Sequence, residues 1–156
     1  MAAGEKHIET RSWAPSSLHL GQDVAIHAGK GLADMSQSDF DAVCRREPYK
    51  EAIVRAYHKG LVVPRELGKL TCSDLPRGCI VAIAEFFTAY RTESHNCEQA
   101  IQRSVESGAA HEWTFGNYAP GRWAWVFVRI RPLDEPIPAK GAQGLWEWDA
   151  AGQAVR

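Results

Sequence analysis

Four residues near the start of the chain carry the densest chemical signal. Gly4, Lys6, Glu9 and Arg11 form a G-x-K-x-x-E-x-R pattern, which sets an ammonium, a carboxylate and a guanidinium within one short segment. An acid and a base so placed can orient a ligand or move a proton. An ion pair that only stiffens the fold is the plainer reading. Strand alternation puts Glu9 and Arg11 on one face with His7 and Trp13, and Lys6 on the other with Ile8 and Thr10, unless a turn or bulge after Gly4 rotates Lys6 inward. A solvated lysine at a strand start is the plain alternative for Lys6. Glu85 interrupts the apolar run CIVAIAEFF, so its carboxylate needs a basic partner or a desolvated, protonated state. Arg11 and Lys30 are the expected partners. If the chain hydrolyses a bond, Lys6 acts as base or nucleophile, and Glu9, Glu85 or Glu112 relays the proton.

A second constellation is aromatic and basic. Trp13, Asn117, Tyr118, Arg122 and Trp123 are the residue types that bind single-stranded RNA: rings stack on bases, amides read base edges and guanidinium groups meet phosphate. Trp125 and Phe127 follow Trp123 at period two and read as core. His27 and Lys30 end a strand in IHAGK; Lys30 sits between Gly29 and Gly31, where an anion can approach closely. His27 is either a general acid or a hydrogen-bonded structural residue.

The elements that must position these groups follow from the patterning. Strands are expected at Lys6 to Trp13, Gln22 to Ala28 and Cys79 to Tyr90, the last central because it is long and apolar. A further strand begins at Trp123, with Trp123, Trp125, Phe127, Arg129 and Arg131 on one face and Ala124, Val126, Val128 and Ile130 on the other. Residues 36–59 read as two helices divided by Pro48, capped at Ser36 or Ser38, with apolar stripes Phe40, Val43, Cys44 and Ile53, Val54, Tyr57. Residues 61–74 read as irregular, Asn96 to Ser107 as a helix and HEWTFGNYAPGR as an ordered loop. Pro132, Pro136 and Pro138 predict an extended linker, and GLWEWD a short final strand. Strands with inserted helices give an α+β class and favour a small mixed β-barrel.

The chain of 156 residues has room for one domain, taken as 1–156, with 45% hydrophobic and 24% charged residues, the balance of a folded globular protein. Eighteen basic against 19 acidic side chains give a net charge of −1, so a polyanion would be held only by a local patch. No apolar stretch suits a membrane span or a signal peptide, and the expected location is cytoplasmic. The four cysteines, 44, 72, 79 and 97, lack paired spacing and are expected as reduced thiols; Cys72, Cys79, His95 and Cys97 make a weak zinc set. Neither a GxSxG nor a Walker motif is present, and no cofactor or metal is implied.

Taken in order, IETRSWAP, VAIHAGK, LPRGCIVAIAEF, FGNYAPGRWAWVF and PIPAKGAQGLW, together with the G-x-K-x-x-E-x-R signature, resemble the ASCH-domain family of the PUA-like superfamily over most of the chain outside residues 35–75. The resemblance implies a small PUA-like β-barrel with helices packed at its side. It also implies a strand and a helix before the Gly-x-Lys turn, so the start of this chain is expected to be short relative to the family. In ASCH-like acetylcytidine amidohydrolases, the lysine at the position of Lys6 and a threonine at the position of Glu9 belong to the active site, and here the hydroxyl is replaced by a carboxylate. The implied function is binding of RNA or a nucleotide-like molecule: Arg11, Lys30 and Arg122 on phosphate, Trp13 and Tyr118 stacked on a base, and Glu9 or Asn117 at the base edge, with His27 beside them. The alternative is a hydrolase, either a single-strand ribonuclease or an amidohydrolase of acylated nucleosides, using Lys6, Glu9 and Glu85.

Overall fold

The computed structural model describes residues 1–31, 36–66, 70–148 and 154–155. The chain is a mixture of helices and antiparallel strands. Its strands β1 (Ile8–Arg11), β2 (Asp23–Ala28), β3 (Cys79–Arg91) and β4 (Trp123–Pro138) form a four-stranded sheet in the order β1-β4-β3-β2. The helices are α1 (Gln37–Cys44), α2 (Tyr49–His58), α3 (His95–Glu106) and the single turn α4 (Glu112–Phe115). A two-stranded ribbon, β5 (Glu147–Trp148) with β6 (Ala154–Val155), completes the described elements. Residue 149, the end of the expected final strand, lies outside the described residues, as do 67–69 of the irregular stretch. By compactness the chain divides into two units, Met1–Val24 with Ile83–Arg131, and Ala25–Ala82 with Pro132–Arg156.

In the first unit, β1 and β4 pair antiparallel with Ile8 opposite Val126, Glu9 opposite Trp125, Thr10 opposite Ala124 and Arg11 opposite Trp123. This register sorts the side chains. Ile8 and Ala124 join Cys97, Ala100 and Ile101 in a buried cluster flanked by Tyr90, Val105, Tyr118 and Val126. Helix α3 contributes Cys97, Ala100, Ile101 and Ser104, the i, i+3, i+4, i+7 stripe of a helix lying on a sheet. It starts at Ser94, whose hydroxyl accepts the N–H of Cys97 at 3.2 Å, a side-chain cap. The opposite face of the sheet carries Phe86, stacked on Trp125 at 5.2 Å and packed on Phe127 at 5.2 Å.

Strand β4 corrects the linker expected after Ile130: it continues through Pro132 and Pro136 to Pro138. The three prolines share parity, so their nitrogens, which cannot donate, point to one side of the strand, and β1 pairs only with Trp123 to Val126 on its own side. Arg129 adopts a φ of 47°, interrupting the pleat, so the alternation expected through Arg131 ends there. The loop expected at 111–122 begins instead with α4, closed by Gly116.

In the second unit, α1 is capped by Ser36, which accepts the N–H of Asp39 at 3.1 Å, and Pro48 does separate α1 from α2. The apolar stripe expected of α2 is only partly inside. Ala56 is buried and Ile53 half-buried, whereas Val54 and Tyr57 are 37% and 45% exposed. Two of the four cysteines depart from the expected reduced state: Cys44 and Cys72 form a disulfide, with Cα atoms 6.2 Å apart. Cys79 and Cys97 remain buried thiols, and burial pushes that of Cys97 up to about 11, which leaves it unreactive.

Candidate functional site

The site is built on β1 and the segment that leads into it. Strand β1 begins at Ile8, with the preceding His7 carbonyl accepting the N–H of Phe127 at 2.9 Å, so Lys6 lies just outside the pleat and free of its alternation. Its Nζ lies 2.8 Å from Glu9 Oε2, and Arg11 Nη2 lies 3.4 Å from Glu9 Oε1. One carboxylate thus bridges an ammonium and a guanidinium. The Lys6 side chain is 15% exposed, that of Glu9 31% and that of Arg11 49%, a gradient from half-buried to open.

Beside this ionic row runs an aromatic one. Cross-strand pairing sets Trp125 against Glu9 and Trp123 against Arg11, with facing Cβ atoms about 5 Å apart in such pairs. Trp13, 40% exposed, stands edge-on to Trp125 with ring centroids 4.6 Å apart. Trp125 is core, as its period indicated, but its buried indole N–H has no hydrogen-bond partner among the described residues. Trp123 is covered on one side by the guanidinium of Arg91, 5.3 Å from its ring centre. The result is a ledge with charges along one edge, a half-open indole at its end and an unsatisfied donor beneath.

The position of Lys6 and Glu9 rests on Glu112. This carboxylate is wholly buried. It accepts the backbone N–H of His7 at 2.6 Å and of Ile8 at 3.3 Å, the Ser104 hydroxyl at 2.6 Å and the Tyr118 hydroxyl at 3.0 Å. Four donors fill the acceptor positions of a carboxylate, so Glu112 is not open to relay a proton. Burial and the adjacent Glu112 carboxylate push the Tyr118 phenol above its ordinary value. Burial pulls the His7 imidazole down, partly opposed by Glu112. Sequence reasoning gave Ser104 no part and could not single out Glu112, because its donors come from residues 7, 8, 104 and 118 and no local motif joins them.

The other expected site residues are placed as follows. Glu85 pairs with Arg129 at 3.1 Å, in place of the Arg11 or Lys30 expected. Its neighbour Phe86 packs on Trp125, so alternation along β3 turns Glu85 to the face opposite Glu9. Tyr118 points its hydroxyl at Glu112, flanks the buried cluster and meets Trp113 at 5.0 Å. Asn117 holds a turn, its Oδ1 accepting the N–H of Ala119 at 3.1 Å, while its own N–H donates to Thr10 Oγ1 at 3.0 Å. Arg122 donates from Nη2 to the Thr10 carbonyl at 3.3 Å, and its buried Nε has no partner among the described residues.

His27 and Lys30 belong to the second unit. His27 Nε2 lies 3.1 Å from the Ala139 carbonyl, and its ring meets Trp146 edge-on at 5.7 Å. Gly141 packs so closely on that ring that a Cβ there would collide with it. These are the contacts of a structural histidine. The Lys30 stem lies across Gly78, which has a φ of +67° and no room for a side chain while the lysine is there. Among the described residues, no group of three or more His, Cys, Asp or Glu side chains is placed to hold a metal ion, and no helix is long and apolar enough to cross a membrane. No protein-family model matches the sequence, and no curated protein matches it.

Proposed function

We propose that the chain is an ASCH-type, PUA-like module that binds single-stranded RNA or a nucleotide-like molecule on the β1–β4 ledge. The observation that carries this reading is the row Lys6, Glu9, Arg11 running beside Trp13 and Trp125. Trp13 offers a stacking face to a base, Arg11 a guanidinium to phosphate, and the Glu9 carboxylate an acceptor for a base-edge amino group. Titrating intrinsic tryptophan fluorescence with short single-stranded RNA at low salt tests this. The expected result is saturable binding whose logarithm falls with log salt by roughly 0.7 per phosphate contact, with Arg11→Ala reducing that slope by one contact. Absence of saturable binding overturns the reading.

A second reading, hydrolysis of RNA or of an acylated nucleoside, is favoured by one feature: Lys6 Nζ and Glu9 Oε2 are within a hydrogen bond of each other in a half-buried setting, which suits a coupled acid and base. Turnover of single-stranded RNA or N-acetylcytidine that disappears in Lys6→Ala supports it. Binding without product rejects it.

A further inference from the structure

The second unit contains a cavity of about 550 Å³ lined by residues of α1, α2 and the segment 70–73. The Cys44–Cys72 disulfide forms part of its wall. Both cysteines are buried, at 7% and 5% exposure in all, and both lie on the cavity lining, so the cavity is a side from which a small molecule can approach the disulfide. Two cations, Arg45 and Lys50, and one anion, Asp41, lie on the same lining; Asp41 already accepts the Gln37 amide at 2.8 Å. The surplus is positive, and Ile53 and Leu70 supply an apolar side. A cavity of this size holds a small organic molecule.

We propose that this cavity admits a small anionic thiol, which reduces the Cys44–Cys72 disulfide from within. The entering thiolate attacks one of the two sulfurs. A new S–S bond forms to it, the protein S–S bond breaks, and the other cysteine leaves as a thiolate that takes up a proton. A second thiolate then attacks the sulfur of the entrant, releasing a small-molecule disulfide and the second cysteine thiol. Two equivalents of thiol are oxidised, one protein disulfide is reduced, and the electrons balance. Arg45 and Lys50 raise the local concentration of the anionic reagent and favour the departing thiolate. The product is a unit in which the end of α1 is no longer tied to the turn at Cys72.

The test compares two reductants of similar thiol chemistry, 2-mercaptoethanesulfonate, which is anionic, and neutral 2-mercaptoethanol, on the full chain at low salt. Alkylation of freed thiols and peptide mass mapping follow Cys44 and Cys72. The anionic thiol is expected to react about tenfold faster, and the preference should vanish in the Arg45→Gln, Lys50→Gln double variant and at high salt. Both positions are exposed, so the double variant retains its fold, which circular dichroism checks. Equal rates for the two thiols in the unaltered protein overturn the proposal. So does a preference that survives in the double variant, or an air-oxidised sample with no Cys44–Cys72 cross-link.

Discussion

Glu112 Oε2 accepts the backbone N–H of His7 at 2.6 Å across 105 residues of sequence. A fully enclosed carboxylate thereby fixes the segment from which Lys6 reaches Glu9. The same oxygen accepts the Ser104 hydroxyl, so α3, α4 and the entry to β1 are tied to one group. Breaking that group should disturb the ledge and the core together.

Replacing Glu112 by Ala leaves two backbone N–H groups and two hydroxyls without their acceptor. A buried donor left without its partner costs about 1–3 kcal/mol, so with four donors orphaned the loss is expected to be at least about 4 kcal/mol in urea unfolding. Glu112→Gln, which keeps the shape but presents an amide N–H₂ to donors, should lie between the two. A variant as stable as the parent would show that the enclosed carboxylate is not the tie.

Tyr118→Phe isolates one of those bonds. The ring still flanks the Ile8, Ile101 and Ala124 cluster, so only the hydroxyl contact to Glu112 is lost. The expected destabilisation is about 1.5 kcal/mol, measured by the denaturant midpoint at unchanged slope.

Acid should weaken the fold in two windows. His7 is held below its ordinary value by burial, so the unfolded chain binds its proton first. Stability is present above about pH 6.5 and is lost as pH falls through the lower folded value. Glu93 is lowered to about 2 by the N–H groups of Gly121 and of its own backbone, with Arg91 and Thr92 adding to them. Its contribution is present above 4.5 and lost as pH falls toward 2. Urea midpoints across pH 8 to 3 should decline in both intervals, and His7→Gln should flatten the upper one only.

Opening the Cys44–Cys72 cross-link, which spans a sequence separation of 28, should destabilise the chain by about 3.5 kcal/mol on loop-entropy grounds. The Cys44→Ser, Cys72→Ser double variant, melted with and without reductant, checks this: its midpoint should match the reduced parent and be insensitive to reductant.

Gly78 offers a local check on Lys30. Its φ of +67° costs a residue with a Cβ about 1–2 kcal/mol, and that Cβ would also meet the Lys30 stem. Gly78→Ala should lower the thermal midpoint and shift the Lys30 resonances, while Gly21→Ala, with open space at its Cβ, should cost the backbone strain alone.

Much of the fold was legible because it is written in local periodicity. The break at Pro48, a serine cap at Ser36 or Ser38, the helix from about Asn96 to Ser107 and the apolar run of β3 each depend on neighbours within a few residues; the structure forms each of them, with Ser36 as the cap. The ionic motif was legible too, as residue types at a fixed spacing. What remained hidden depends on distant partners. Alternation alone set Lys6 away from Glu9, and only the start of β1 after Lys6, with Glu112 gripping His7 and Ile8, brings them together. Glu85 turned to Arg129 because β3 and β4 are neighbours in the sheet, and Cys44 met Cys72 because α1 ends beside a turn 28 residues later. A chain determines by itself what each short segment prefers; which segments meet, and so which charges share a surface, is decided by burial of apolar faces between elements remote in sequence.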